Sequence, residues 1–195
     1  GNNDGDLGSS PINADPKQTY GITDRAIAYL ISRVTNGTPF YLQASHYAVH
    51  ETTQTSQSSY DSYAGVTPGT WHNNRYYAGM TTDLDINVRR LLNELDNLGI
   101  RNSTYVMYEG DNGAPQAQSE NYPLRGYKPE IWEGGERVPM FVRGPGVPAN
   151  SQCDVPAIGI DFFPTIWQWA TGSISNLPPD VDGGSLVPTI DSIAD

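Results

Sequence analysis

Residues 76–113, YYAGMTTDLDINVRRLLNELDNLGIRNSTYVMYEGDNG, contain the patterns of a long helix, a strand and a polar loop in direct succession. Apolar residues recur every three or four positions and predict a helix over Tyr76–Leu98, ended by Gly99. They are Tyr77, Met80, Leu84, Val88, Leu91 and Leu95. Ser103–Glu109 is rich in β-branched and aromatic residues and predicts a strand. The polar sequence Asp-Asn-Gly follows that strand almost at once.

The rest of the chain repeats this alternation of helix and strand. The predicted elements are a helix over Asp24–Val34 with Thr23 as its N-cap, strands over Pro39–Ser45 and Val138–Gly144, and a helix over Asp161–Gly172. The polar run Glu51–Thr70 reads as a surface segment anchored by Tyr60 and Tyr63. The order favours an α/β fold with a mainly parallel central sheet flanked by helices. We expect residues 1–19 to be a disordered leader or cloning remnant, and residues 20–195 to form the domain.

Composition limits the classes of function. The 195 residues suffice for one domain with a sizeable core. A formal net charge of −11 argues against nucleic acid as the main partner, because such binding needs clustered Lys and Arg. The single cysteine, Cys153, excludes an internal disulfide and a metal site made only of cysteines. No apolar run reaches membrane-spanning length, so no membrane partner is expected, and no signal-peptide pattern is present.

Polar residues that could bind a ligand follow the predicted strands. His46 and His50 follow the first strand, Asp111 and Asn112 follow the second, and Lys128 lies between the second and the third. Open α/β sheets bind ligands beyond the carboxyl ends of their strands. Titratable and coordinating groups from three segments are therefore expected at one edge of the sheet, which predicts a functional site there.

Each of these residues also has an ordinary structural interpretation. Asp-Asn-Gly alone is typical of a turn, although its oxygen pair suits a hard cation such as calcium, which needs six or more ligands. Lone histidines more often belong to the scaffold than to a catalytic site. Lys128 could be a solvated loop lysine, but Gly126 and Gly134-Gly135 would let the backbone approach a ligand closely. A lysine in that setting suits a tetrahedral oxyanion.

Taken together, the motifs resemble those of the type I sulfatases, within the alkaline-phosphatase-like superfamily. The matching segments, in order, are PFYLQASHYAVH, YYAGMTTDLDINVRRLLNELDNLGI, DNG, PLRGYKPEIWEGGERVP and DVPAIGIDFFPTIWQWATG. The resemblance extends from about Tyr20 to Ile190. It implies calcium-assisted hydrolysis of a sulfate ester by an arylsulfatase-like enzyme.

The resemblance also implies roles for single residues. Asp111 and Asn112 match two calcium ligands, Lys128 matches the lysine that binds sulfate and stabilises the leaving oxygen, and His50 matches a histidine that contacts sulfate. His46 is a weaker candidate for a supporting role in substrate binding. The family's nucleophile is a formylglycine made within a Cys/Ser-x-Pro-x-Arg motif.

That nucleophile motif does not occur in this chain. Cys153 lies in NSQCDVPA, and no Ser-x-Pro-x-Arg is present either. We therefore expect a partial domain, the C-terminal portion of a sulfatase catalytic domain, with the formylglycine and the remaining calcium ligands in a missing N-terminal part. Such a chain alone should turn over sulfate esters negligibly.

Two alternative functions remain open at this level. One is a phosphodiesterase or phosphonate hydrolase of the same superfamily, and the other is a non-catalytic fragment that binds sulfated ligands. An incomplete sheet would expose an edge, which predicts self-association across it. A periplasmic or extracellular location is the expectation from the family.

Overall fold

The computed structural model describes residues 10–116 and 118–194. The chain divides into two compact units, unit 1 (Gly1–Arg101 and Asp111–Val138) and unit 2 (Asn102–Gly110 and Pro139–Asp195). The elements in chain order are α1 (Thr19–Thr35), α2 (Gln57–Asp61), α3 (Arg75–Asn97), β1 (Val106–Glu109), α4 (Glu133–Glu136), β2 (Met140–Arg143), α5 (Phe162–Thr171) and α6 (Val187–Ala194). No helix among the described residues combines the length and apolarity needed to cross a membrane.

Helix α1 begins one turn earlier than the sequence pattern predicts. Its first backbone N–H groups donate to the carboxylate of Asp15, from Tyr20 at 2.8 Å and from Gly21 at 3.1 Å. Thr23, the predicted N-cap, is instead a buried residue inside the helix, and its hydroxyl donates to the carbonyl of Thr19 at 2.9 Å. A carboxylate that precedes the helix in sequence supplies the acceptor for its free N–H groups, so Thr23 is not needed as a cap.

Helix α3 confirms the long helix predicted over Tyr76–Leu98. It forms the centre of unit 1, where α1 and α2 both pack against it. The buried apolar side chains of these helices are Ala26, Leu30, Met80, Leu84 and Leu95. Asn74 precedes the helix, and its side chain accepts a hydrogen bond from the N–H of Tyr77, which satisfies one of the free donors of the first turn.

The carboxylate of Asp83, on α3, is fully buried and accepts hydrogen bonds from both neighbouring segments. Its Oδ1 accepts from the hydroxyls of Tyr20 (2.9 Å), Ser56 (2.7 Å) and Ser59 (2.7 Å). Its Oδ2 accepts from the hydroxyl of Thr55 (2.9 Å) and from the backbone N–H of Ser56 (2.8 Å). These bonds tie α1, α2 and the segment before α2 to α3. Burial, followed by the hydrogen bond to Asp83, raises the pKa of Tyr20.

The polar run Glu51–Thr70 is only in part the surface segment that its composition indicates. Tyr60 and Tyr63 anchor it as predicted, because Tyr60 stacks on Tyr76 at 4.6 Å and the Tyr63 hydroxyl lies 2.8 Å from that of Thr82. Gln54, Thr55 and Ser59 of this run are buried. Hydrogen bonds to these side chains offset the free-energy cost of burying their polar groups.

The strand predicted over Pro39–Ser45 does not form in the structure of the described residues. β1 and β2 lie inside the ranges predicted for the other two strands, and they pair antiparallel, with Val106 opposite Arg143 and Glu109 opposite Met140. The mainly parallel central sheet is therefore not confirmed. A ladder needs a neighbouring strand at the right distance, and a favourable composition at 39–45 does not supply one.

In unit 2 an aromatic contact joins the residue before β1 to α5, and a carboxylate joins the segments that precede α5 and α6. Tyr105 stacks on Trp169 of α5, with ring centroids 3.9 Å apart and planes 5° from parallel. The Asp161 carboxylate accepts from the backbone N–H groups of Ile158 (2.9 Å) and Gly184 (2.8 Å). Helix α5, Phe162–Thr171, ends at Gly172 with a φ of 76°, which confirms the helix predicted from the sequence.

Part of the predicted leader makes defined contacts in unit 1. Residues 1–9 lie outside the described residues, whereas residues 10–18 lead into α1. Ile12 forms an isolated parallel bridge with Thr55, and the N–H of Asn13 donates to the carbonyl of Thr55 at 3.0 Å. Lys17 is fully buried. The structured part of the chain thus begins before Tyr20.

We expect Asp83→Asn to lower the free energy of unfolding by about 3 kcal/mol, because the new amide NH₂ would face hydroxyl and N–H donors and hydrogen bonds to a charged acceptor would be lost. Urea unfolding followed by far-UV circular dichroism measures this change. Asp85→Asn is the matched control on an exposed position of the same helix, and it should change stability by no more than about 0.5 kcal/mol. Equal effects of the two substitutions would contradict the role of Asp83.

Candidate functional site

The Asp111-Asn112-Gly113 loop packs backbone to backbone against α4. The N–H of Gly113 donates to the carbonyl of Gly135 at 2.8 Å, and Gly113 is buried. A Cβ at Gly113 would collide with the carbonyl of Gly134, and a Cβ at Gly134 would collide with the carbonyl of Gly126. Glycine at 113 therefore lets the Asp111 loop lie directly against the Gly134-Gly135 backbone, and glycine at 134 lets α4 lie against the backbone of Gly126 in the loop that carries Lys128.

The loop that carries Lys128 is hydrogen-bonded to the same Asp111 loop. The backbone N–H of Lys128 donates to the carbonyl of Ala114 at 3.3 Å. Asn121 strengthens this connection, because its Nδ2 donates to the carbonyls of Ala114 (2.9 Å) and Gly126 (3.1 Å) while its Oδ1 accepts from the N–H of Ala114 (3.2 Å). The sequence pattern does not single out Asn121, since one Asn in a polar run resembles any other loop residue.

The segment after His50 reaches the same group of loops. The hydroxyl of Thr53 donates to Oε1 of Gln118 at 2.6 Å, and Gln118 lies between Asp111 and Lys128 in the chain. His50 itself is exposed, in a turn in which its N–H donates to the carbonyl of Tyr47 at 2.9 Å. All three predicted segments thus belong to unit 1 and are joined by hydrogen bonds.

His46 has the contacts of a scaffold residue. Its Nε2 lies 3.0 Å from the hydroxyl of Thr23, and that hydroxyl donates its own proton to the carbonyl of Thr19. A hydroxyl has one proton, so His46 must be the donor, with its proton on Nε2. Burial lowers the pKa of His46, which favours the neutral ring. These contacts attach the chain after Ser45 to α1, and a supporting role in substrate binding stays a prediction.

Asp111 and Asn112 offer oxygen atoms of the kind that calcium prefers, but too few for a complete site. Asp111 is exposed, and the Asn112 amide nitrogen donates to the carbonyl of Gly113 at 3.2 Å, which leaves its Oδ1 as the atom suited to a cation. Within residues 10–116 and 118–194, no group of three or more His, Cys, Asp or Glu side chains could hold a metal. A calcium site that used this pair would need further ligands.

The side chains on these joined loops include groups of the kind that bind an oxygen anion. Lys128 is half-buried on a loop held by backbone hydrogen bonds, and its ammonium group can donate up to three hydrogen bonds. His50 adds an exposed imidazole from the segment joined through Gln118. Lysine and histidine side chains are donors suited to oxygen anions, whereas carboxylate and amide oxygens are suited to cations.

Comparison with known proteins points to one family. The family model described as Sulfatase matches residues 5–173. Arylsulfatase J of Mus musculus is 31% identical over 154 residues, which cover 78% of this chain and 25% of the relative. Human steryl-sulfatase is 29% identical over 205 residues, covering 93% of this chain and 33% of the relative.

A solved structure gives the same result at the level of the fold. The crystal structure of Ps i-CgsB has a TM-score of 0.81 and 26% identity, and the match covers 89% of this chain and 38% of that one. These values show that the chain has part of a sulfatase fold, which is alkaline-phosphatase-like. The chain spans about a quarter to a third of the length of the curated relatives named above.

We expect Gly113→Ala to separate the Asp111 loop from α4, because the new methyl group would meet the backbone of Gly134 and Gly135, which cannot rotate away. The predicted loss of stability is about 1–3 kcal/mol, the range typical of overpacking. Thermal unfolding measures this loss of stability. The amide proton at position 113 should exchange slowly with solvent in the parent chain and faster in Gly113→Ala, because its hydrogen bond to Gly135 is lost.

Gly65→Ala is the control, since a Cβ at that position meets no atom within 4 Å. It should leave stability unchanged or slightly raised. If the Gly113→Ala chain were as stable as the control, the Asp111 loop and α4 would not be in backbone contact.

Proposed function

Because this chain belongs to the sulfatase family, we propose that it supplies part of an active site that hydrolyses a sulfate ester. The observation that carries this proposal is the joining of three loops in unit 1. Gly113 bonds to Gly135, Lys128 bonds to Ala114, and Thr53 bonds to Gln118. These contacts bring together the segments that bear the proposed sulfate-binding and cation-binding residues.

In this proposal Lys128 and His50 bind the sulfate group. The Lys128 ammonium donates hydrogen bonds to sulfate oxygens and stabilises the negative charge that develops on the leaving oxygen. His50 donates from its ring to another sulfate oxygen. Backbone hydrogen bonds limit the movement of the two segments that carry these side chains, which supports the proposal because less ordering would be required during the reaction.

Asp111 and the Oδ1 of Asn112 are the proposed ligands of calcium in this chain, with the remaining ligands supplied from outside it. Calcium held there supplies positive charge that favours the binding of a sulfate group. No Cys-x-Pro-x-Arg or Ser-x-Pro-x-Arg occurs in the 195 residues, so we propose that a formylglycine nucleophile also comes from another segment.

We propose further that the isolated chain self-associates through the sheet of unit 2. Among the described residues, β1 and β2 pair only with each other, so each strand has a second edge without a strand partner. Phe141 on β2 is 65% exposed and lies beside Tyr108 of β1. Unpaired edges with exposed aromatic side chains favour pairing with a second copy.

Sedimentation velocity over a concentration series tests this association. The expected result is a shift towards dimers as concentration rises, reduced by Phe141→Lys, because a charge beside the edge opposes pairing. The control is Tyr122→Lys, which changes another exposed aromatic residue, 70% exposed, in unit 1. A monomer at all concentrations would refute the proposal.

Binding of inorganic sulfate, measured by isothermal titration calorimetry with and without calcium, tests the sulfate site. We expect Lys128→Gln to weaken binding about tenfold or more, corresponding to about 1.4 kcal/mol, because a charged donor is lost. The control is Arg137→Gln, which removes an exposed cation of the same segment that pairs with Glu133. It should leave the sulfate affinity nearly unchanged.

The same titration separates the alternatives. Calcium should raise sulfate affinity, and sulfate should raise calcium affinity by the same factor, since coupling between two ligands is reciprocal. Equal sulfate affinity of the parent chain and Lys128→Gln would contradict the assignment of Lys128. Tighter binding of phosphate than of sulfate would favour the phosphodiesterase or phosphonate hydrolase alternative.

A further inference from the structure

Lys17 is a buried lysine next to the segment that carries His50, and the sulfate site proposed above gives it no role. Its side chain is fully buried in unit 1, and its Nζ donates to the carbonyl oxygen of Glu51 at 2.8 Å. Its backbone N–H donates to Oε1 of Gln54 at 3.2 Å, and its φ of 53° is in the left-handed region, which is unusual for a residue with a side chain. Burial of an ammonium group is costly, so a lysine is a poor choice for packing alone.

The same carbonyl oxygen of Glu51 is the partner of His50. The Nδ1 of His50 lies 2.6 Å from it. A carbonyl oxygen can only accept, so this contact requires a proton on Nδ1 of His50. The oxygen has two lone pairs, which allows it to accept from Lys17 and from His50 at once. The remaining ring nitrogen, Nε2, is then the atom that can meet a ligand.

Residues 51–54, which follow His50, are held from two sides. Lys17 bonds to Glu51 and Gln54 from the side of α1, while Thr53 bonds to Gln118 from the side of the Asp111 loop. Glu51 is exposed as a residue, whereas Lys17, whose Nζ bonds to its carbonyl oxygen, is fully buried. A donor anchored in the interior therefore holds the carbonyl oxygen that His50 contacts.

We propose that Lys17 is a positioning residue for His50. It holds the Glu51 carbonyl where Nδ1–H of His50 can donate to it, and so fixes both the orientation of the ring and the nitrogen that faces the ligand. The consequence for sulfate binding rests on the proposed function, whereas the effect on the ring does not. A histidine whose second nitrogen is held by a carbonyl is oriented in the same way in many metal and catalytic sites.

The test uses the full chain labelled with ¹⁵N in its histidine rings. The chain has three histidines, so His50→Gln assigns the signal of His50 directly. At a pH at which the rings are neutral, the parent chain should show His50 with its proton on Nδ1. Lys17→Met keeps a long, uncharged side chain but removes the donor. It should shift His50 towards the Nε2–H form while the signals of His46 and His72 stay in place.

Two further variants separate positioning from general damage to the fold. Lys17→Arg retains a cationic donor and should restore the Nδ1–H form of His50 at least in part. Arg25→Met removes an exposed cation from α1 and should leave the His50 signal unchanged. Circular dichroism of each variant verifies that α1 and α3 are retained.

The outcomes are distinct. A parent chain with the proton of His50 on Nε2 overturns the proposal, even if Lys17→Met fails to fold. Unchanged His50 signals in a folded Lys17→Met chain also overturn it. If the ring responds as expected, Lys17→Met should weaken sulfate binding about tenfold, the effect typical of losing a partner that orients a ligand-binding histidine. If the ring responds but His50→Gln binds sulfate normally, the positioning role stands and the proposed role of His50 in sulfate binding fails.

Discussion

The carboxylate of Asp83 is the interaction on which the arrangement of unit 1 depends. It is fully buried in α3 and accepts hydrogen bonds from Tyr20 on α1 and from residues 55–59 around α2. Apolar packing between α1 and α3 brings the helices together, but it does not determine where an irregular polar segment must lie. A buried carboxylate does, because each donor has to meet it within hydrogen-bond distance and angle.

The segment held by Asp83 follows closely after Thr53, which bonds to the loop that follows Asp111. The chain that carries His50 therefore leads into a segment held by a carboxylate far from it in sequence. The other candidate residues depend on glycine instead. Gly113 allows the Asp111 loop to touch the backbone of α4, and Gly134 and Gly135 allow α4 to touch the backbone of the loop that carries Lys128, which a Cβ would prevent. Loops held in this way can carry ligand-binding side chains with little freedom to rearrange.

The chain belongs to the sulfatase family but spans only part of the length of its relatives. The family model matches residues 5–173, yet the chain covers 33% of human steryl-sulfatase and 38% of the Ps i-CgsB structure. All the candidate residues of the site, His46, His50, Asp111, Asn112 and Lys128, belong to unit 1. Unit 2 carries the two-stranded sheet and α5 and holds none of them. The proposed site has two oxygen ligands, one lysine and one histidine in this chain, so in that proposal the chain contributes to a larger active site.

The sequence by itself determined the long helix α3, the short helix α5, the two strands and the family. It did not determine where α1 begins or whether residues 39–45 form a strand. Helices α3 and α5 are predictable because their hydrogen bonds join residues four apart, so a local pattern and a terminal glycine suffice. The tertiary structure alone decided that Pro39–Ser45 forms no strand with the described residues, that Asp15 rather than Thr23 accepts from the first N–H groups of α1, and that the buried Lys17 bonds to Glu51. Each of these depends on a hydrogen-bond partner brought close by the fold, and no local sequence pattern records the identity of such a partner.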